Sequence, residues 1–186
     1  MSRIAVFGAG GQLGRLVVAR AVGRGHHVTA VVRDPAKYAD LAGAGVTLLA
    51  GDITDPGSVA AVAAEHDVVV GSVHTPHTPA DQLYPAAARA LLAGVGATRL
   101  LVVGVVSTRE VEPGVMVLDT PGFPAEGREF SLARVAELEV LRGAGPDVDW
   151  LLLMPPMEID RARLAVEIVD EIETPKHHRT AVAAGG

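Results

Sequence analysis

The chain has 186 residues, 49% hydrophobic and 20% charged, a balance that suits one globular domain and excludes a disordered segment. Its formal net charge of -6 argues against nucleic acid as a partner, because neutralising phosphates takes a basic face, and no uninterrupted apolar run approaches a membrane span. Cysteine is absent, so disulfide and thiolate chemistry are excluded; with no secretory leader visible after MSRIAV, the expected compartment is the reducing cytoplasm.

The first strand is RIAVFG, followed by a helix over 12–24 that stops at Gly25. HVTAVVR and VTLLAGD are the second and third strands. The helix after each opens with Asp-Pro, at Asp34-Pro35 and at Asp55-Pro56, where aspartate suits the N-cap and proline the first helical position. DVVVGSV leads into a helix over 79–92, and LLVVGVVS into a long irregular stretch over 108–129. A helix over 130–142, the strand DWLLLMPP and a last helix over 163–172 complete the pattern. The apolar runs are β-branched or leucine-rich and mostly lack polar alternation, as strands covered on both faces do. The strand–helix alternation predicts a doubly wound parallel α/β sheet of the Rossmann type, one domain over 1–186, with the part from about 154 forming a small substrate lobe.

GAGGQLG, residues 8–14, joins the first strand to the first helix, the context in which a glycine-rich turn cradles a dinucleotide. Gly8 and Gly10 begin a G-x-G-x-x-G pattern that Leu13 breaks, whereas Gly8, Gly11 and Gly14 fit G-x-x-G-x-x-G. In that reading Gly8 makes the turn, Gly11 lets a pyrophosphate approach, and Gly14 lets the helix pack on the sheet. The second strand ends in Arg33, where NAD-binding chains usually place an acid. Asp34 reads as the cap of the next helix, while Arg33 suits a 2′-phosphate and Lys37 adds charge one turn later. NADP(H) is therefore expected over NAD(H). Asp52, at the end of the third strand, is placed to touch the adenine amino group, with Ile53 against the ring.

GAGGQLG, VVRDPAKY, GDITDP, LLVVGVVS with EVEPGVMVLDTPGFP after it, and HHR near the end together resemble atypical short-chain dehydrogenases/reductases. The resemblance is to the single-domain NADH-flavin-reductase-like, NmrA-like and biliverdin-reductase-B-like proteins. It implies a Rossmann-type fold holding NADP(H) across the strand tips. The implied contacts are Gly8 to Gly14, including Gln12 and Leu13, then Arg33, Asp52, Ile53, Ser72, Val73, His74 and the region of Pro155. It also implies reduction of a flavin-like or quinone-like small molecule. The chain departs from the family by lacking some of the residues that usually precede the last helix, and TAVAAGG replaces an aromatic, β-branched terminal strand. The substrate side is expected to be trimmed, leaving the pocket either more open or completed by a second subunit in a homodimer.

The Tyr-x-x-x-Lys dyad of conventional short-chain dehydrogenases is missing, since Tyr38 and Tyr84 are each followed four residues on by alanine. A flavin-type acceptor needs no such acid. The larger family often keeps a substrate-binding serine where Ser107 lies; Ser107 reads equally as a hydroxyl finishing the strand. His74 is a candidate proton donor or a loop histidine bonded to backbone. His74 and His77 lack an evident third ligand, so no metal is expected. Arg134, Glu137, Glu139 and Arg142 read as a solvated charged face, and His177-His178-Arg179 as partners of the last helix's carbonyls. Phe123 and Phe130 either line an aromatic substrate's pocket or pin the long loop. Three functions fit: a reductase of flavin-like, quinone or other conjugated aromatic acceptors; a non-redox isomerase, cyclase or lyase on the same fold; and an NADP-binding redox sensor.

Overall fold

The computed structural model describes residues 1–74, 76–158 and 160–185. β1 (Arg3–Phe7), α1 (Gln12–Gly23), β2 (His27–Val32) and β3 (Val46–Ala50) form the first half of the winding. α2 (Pro56–Ala63), β4 (Val68–Gly71), α3 (Ala80–Gly94) and β5 (Arg99–Val103) follow. A small hairpin, β6 (Glu110–Glu112) and β7 (Val115–Met116), precedes α4 (Arg128–Arg142), β8 (Trp150–Met154), α5 (Arg161–Glu173) and β9 (Thr180–Ala183). Among the described residues the main sheet has seven strands in the order β3-β2-β1-β4-β5-β8-β9. Every pairing in it is parallel.

The strict alternation of a strand's side chains divides β1 between two cores. Ile4 and Val6 pack with Val17 and Val18 of α1 and Leu164 and Ile168 of α5. Ala5 and Phe7 pack with Val59 and Val62 of α2, Leu91 of α3 and Leu141 of α4. Both faces of β1 are therefore covered, as the apolar run RIAVF implies, whereas β3 at the sheet edge stays half exposed. The strand order reverses between β1 and β4, and the cleft of a doubly wound sheet opens at the carboxyl ends on either side of that reversal.

Four expectations need correction. Pro35–Leu41 is a 3₁₀ segment kinked at Tyr38, because none of its residues is buried and nothing stabilises a longer helix. Asp34 gives it no side-chain cap and faces Lys37 at 3.3 Å instead, whereas Asp55 does cap α2 through the Gly57 N–H at 3.0 Å. The stretch over 108–129 is less irregular than its composition suggests: it holds β6–β7 and is tied down by Arg128, which donates to the Leu118 carbonyl at 2.7 Å. Finally, TAVA still forms a strand, β9, in register beside β8 with Leu151 opposite Thr180.

What holds β9 is a buried ion pair. Arg99, at the start of β5, donates to Glu171 Oε1 at 2.7 Å and to the His177 carbonyl at 2.8 Å. Glu171 also accepts from the backbone N–H groups of Lys176 at 2.9 Å and His177 at 3.0 Å, and its other oxygen faces the His177 ring. The HHR segment thus serves the turn between α5 and β9. Arg179 donates not to α5 but to the carbonyls of Ala144, Gly145 and Val148 beyond α4. Burial by itself would raise the Glu171 carboxyl, but the His177 and Lys176 N–H groups, the His177 ring and Arg99 pull it from 4.5 down to about 2.

Removing one partner of such a pair strands the other charge, so Glu171→Ala should cost about 3 kcal/mol and lower Tm by about 6–12 °C by calorimetry. Because the folded-state pKa is depressed, this stabilisation is present above about pH 4.5 and disappears as the pH falls toward 2. The gap between wild type and Glu171→Ala should narrow over that interval.

Candidate functional site

A cleft of about 590 Å³ runs along the carboxyl ends of β1, β2, β4 and β5. Its floor is a meeting of backbones. Gly8 has φ +82°, and a Cβ there would lie 2.1 Å from the Ser72 carbonyl oxygen after β4. A Cβ on Gly14 would lie 2.1 Å from the Gly8 carbonyl oxygen, so the first turn of α1 rests directly on the strand-to-helix turn. Gly10 is closed by the Tyr38 ring, 2.3 Å from its ideal Cβ. Gly11 differs: its ideal Cβ meets only the Gly8 carbonyl oxygen, at 3.3 Å, leaving the other side open. Gly11 also caps α1 without a side chain, so the first N–H groups, at Gln12 and Leu13 on the cleft wall, are left for an acceptor.

At the β2 end, Arg33 lines the cleft, exposed and, among the described residues, without an ion pair. Lys37 lies outside the lining and is paired with Asp34. Tyr38 lines the wall beneath Arg15, whose guanidinium sits 5.8 Å from the ring centroid and is bound to Asp40 at 2.5 Å. Asp52 and Ile53 line the same end. Asp52 Oδ1 accepts from the Thr54 N–H at 2.8 Å and from the Thr54 hydroxyl at 2.7 Å, which fixes the carboxylate's orientation.

The other end is aromatic and cationic. Ser72, Val73 and His74 after β4, Val103 and Gly104 at the end of β5, Tyr84 of α3, and Phe130 and Arg134 of α4 form it. His74 Nδ1 is 3.0 Å from the Tyr84 hydroxyl. Arg134 is 4% exposed, lies 4.0 Å over the Tyr84 ring and donates to the Val103 carbonyl. Glu137 faces Arg134 Nη2 at 3.0 Å. Burial pushes the Glu137 carboxyl up to about 7, outweighing the pull of the Arg134 guanidinium.

The structure therefore gathers Gly8, Gly10, Gly11, Gln12, Leu13, Arg33, Asp52, Ile53, Ser72, Val73 and His74 on one cleft. Gly14 supports it from behind. Pro155 stands off the wall, its carbonyl accepting the Val106 N–H at 3.0 Å. Ser107 is 2% exposed in the turn after β5 and does not line the cleft, because that turn folds its side chain inward. The solvated-face expectation for α4 is corrected for half of its residues. Glu139 and Arg142 are an exposed pair at 2.7 Å, but Arg134 and Glu137 are buried. Their signal was available: Phe130, Arg134, Glu137 and Leu141 recur at helical spacing, which puts the two charges on the apolar stripe. Phe130 lines the cleft, while Phe123 does not and packs near Gly127. Arg161, at the start of α5, is a further exposed lining residue that sequence reasoning missed.

The sequence profile of the NAD(P)H-binding family matches residues 8–185. A solved "putative exported protein" of Burkholderia pseudomallei is 32% identical, with a TM-score of 0.85 over 98% of this chain and 98% of its own. A solved "putative NADH-flavin reductase" of Streptococcus pneumoniae superposes with a TM-score of 0.82 at 23% identity, over 98% of each chain, a likeness of fold. The "Probable pinoresinol-lariciresinol reductase 3" of Arabidopsis thaliana is 35% identical over 79 residues, which span 41% of this chain and 26% of that protein. The glycine cradle fits the nicotinamide dinucleotide that the family binds: its one uncrowded glycine and the uncapped start of α1 face the same cleft.

Gly11 and Gly14 should separate folding from binding. Gly14→Ala drives a Cβ into the Gly8 carbonyl and should lose about 2 kcal/mol or more of stability. Gly11→Ala should melt within a few degrees of wild type yet bind its nicotinamide dinucleotide at least about tenfold more weakly, because its Cβ occupies the phosphate's approach. Calorimetry and fluorescence titration read the two effects.

Proposed function

The chain belongs to the NAD(P)H-binding family, and from that premise we propose that it is an NADPH-dependent reductase of a flavin-like, quinone or other conjugated aromatic acceptor. The observation that carries this reading is the division of the cleft into two chemically different ends. One holds a guanidinium, Arg33, that has no carboxylate partner among the described residues, on a chain of net charge -6. The other is walled by Tyr84 and Phe130, whose rings meet edge to face at 5.6 Å.

In this reading the N–H groups at the start of α1 and the open side of Gly11 hold the pyrophosphate. Asp52 and Ile53 meet the adenine, and Arg33 pairs with the 2′-phosphate. Lys37 contributes less, since Asp34 already holds its charge. A bound reduced nicotinamide supplies the hydride. The aromatic wall orients a planar acceptor by edge contacts and excludes water from its face. The reductase name of the plant relative supports the same chemistry over the part of the chain that it matches. Arg134, held by the Val103 carbonyl, gives that end a fixed positive charge that favours an acceptor gaining electron density.

The test is a titration with NADPH and NADH, followed by addition of a flavin or simple quinone while nicotinamide absorbance is read. NADPH should bind more tightly and be oxidised. Arg33→Ala should weaken NADPH by about 10- to 100-fold, the loss of a charge-assisted bidentate contact, and leave NADH within about twofold. Equal affinities for the two nucleotides in the wild type would remove the 2′-phosphate role, and binding without oxidation would remove the reductase role.

A further inference from the structure

We propose that Tyr84 is the proton donor of the cleft and that His74 reloads it from solvent. This rests on the reductase reading above and names the group that completes its chemistry. Tyr84 is 2% exposed although it lines the cleft, and its hydroxyl lies 3.0 Å from His74 Nδ1. His74 is itself exposed, so the pair forms a two-residue path from the closed end of the cleft to water. Phe130 stands edge-on to both rings, at 5.6 Å from Tyr84 and 6.3 Å from His74, and fixes their mutual orientation. Arg134 spans the Tyr84 ring at 4.0 Å from its centroid and is buried with Glu137 behind it.

Each of these groups has a separate part. Burial pushes the Tyr84 hydroxyl above the ordinary tyrosine range, with Arg134 working against the rise, so Tyr84 carries its proton at neutral pH. Once that proton leaves, the guanidinium over the ring stabilises the phenolate that remains. The electron pair arrives as hydride from a reduced nicotinamide, which ends oxidised, and the acceptor is reduced by two electrons. The Tyr84 O–H bond breaks and its proton goes to the acceptor's oxygen. The His74 Nδ1–H bond breaks as the Tyr84 O–H bond re-forms, Nε2 takes up a proton from solvent, and exchange of the exposed ring with water then removes the Nε2 proton and restores Nδ1–H. This arrangement needs no lysine four residues after the tyrosine. The cation comes from α4 and the relay from the end of β4.

The first measurement is the His74 tautomer, by nitrogen NMR of the protein without nucleotide. The relay requires the neutral ring to carry its proton on Nδ1 and to donate to Tyr84; in Tyr84→Phe the population should move to Nε2. A wild-type ring protonated on Nε2, with the Tyr84 proton committed to Nδ1, overturns the relay. The second is turnover with a simple quinone. Tyr84→Phe should lower kcat by about 100-fold or more with an unchanged nucleotide Kd, and His74→Ala should lose less and be restored by added imidazole. Unchanged kcat in Tyr84→Phe beside an active wild type overturns the acid role and leaves the reductase reading standing. A wild type that binds nucleotide yet oxidises it with neither quinone nor flavin overturns the reductase reading, and the acid role with it.

Discussion

Three stretches of backbone converge at the end of β1, and the cleft depends on how closely they meet. Neither Gly8 against the Ser72 carbonyl nor Gly14 against the Gly8 carbonyl leaves room for a methyl group. The first contact draws the residues after β4 toward the glycine turn; the second sets the start of α1 on top of it. Together they bring the uncapped N–H groups of a helix and the edge that carries His74 to one cleft. Any side chain at either glycine would part these segments, so the geometry of both ends of the site rests on hydrogen atoms in place of Cβ atoms.

Two buried arginine–glutamate pairs show how the same chemistry is turned to different ends. Glu171 receives two backbone N–H groups and a histidine ring besides Arg99, and its carboxyl falls to about 2. Glu137 has Arg134 alone, its Oε2 makes no hydrogen bond, and burial lifts it to about 7. Two differences act together: Glu137 is the more deeply desolvated, and Glu171 has the N–H donors, each of which offsets part of the cost of taking a carboxylate out of water. The pair with the better-satisfied carboxylate lies at the start of β5 and ties the turn before the last strand to the sheet. The under-satisfied pair lies at the functional end, where Arg134 keeps a positive charge that its carboxylate only partly cancels.

Five of the six apolar runs were legible as strands because they are buried on both faces and so carry little alternation to misread, whereas VTLLA, the edge strand β3, was legible from its apolar composition although it is half exposed. The glycine spacing was legible because close backbone approach leaves few residue choices. β9 was harder: TAVA has little intrinsic strand character, and what places it is Arg99 in a strand some eighty residues earlier, together with backbone N–H groups after α5. The Asp34-Pro35 signal was a sound local cue that failed for lack of buried area. The α4 charges misled because charge on a helix usually marks solvent, and only the spacing with Phe130 and Leu141 pointed inward. Tyr84 was passed over because a lysine was sought on its own helix, whereas its partners come from β4 and α4. Local chemistry was readable throughout; partnerships across the fold were not.

The distribution of unpaired cations follows from the same logic. The chain is acidic, and most arginines near carboxylates are paired: Arg15 with Asp40, Arg24 with Asp170 and Glu173, Arg163 with Glu167. Among the described residues the two exposed arginines of the cleft, Arg33 and Arg161, carry no such pair, and neither do Arg20, Arg89 and Arg109 elsewhere on the surface. An unpaired guanidinium in an acidic field attracts an anion more strongly than one whose charge is already answered, and it forfeits no existing contact when the anion arrives. Arg33 stands off the end of β2 and Arg161 at the first turn of α5, the helix that packs beside α1. An anionic ligand in the cleft would therefore meet positive charge at Arg33, at Arg161 and at the uncapped start of α1, and its aromatic partner would be left the Tyr84–Phe130 wall.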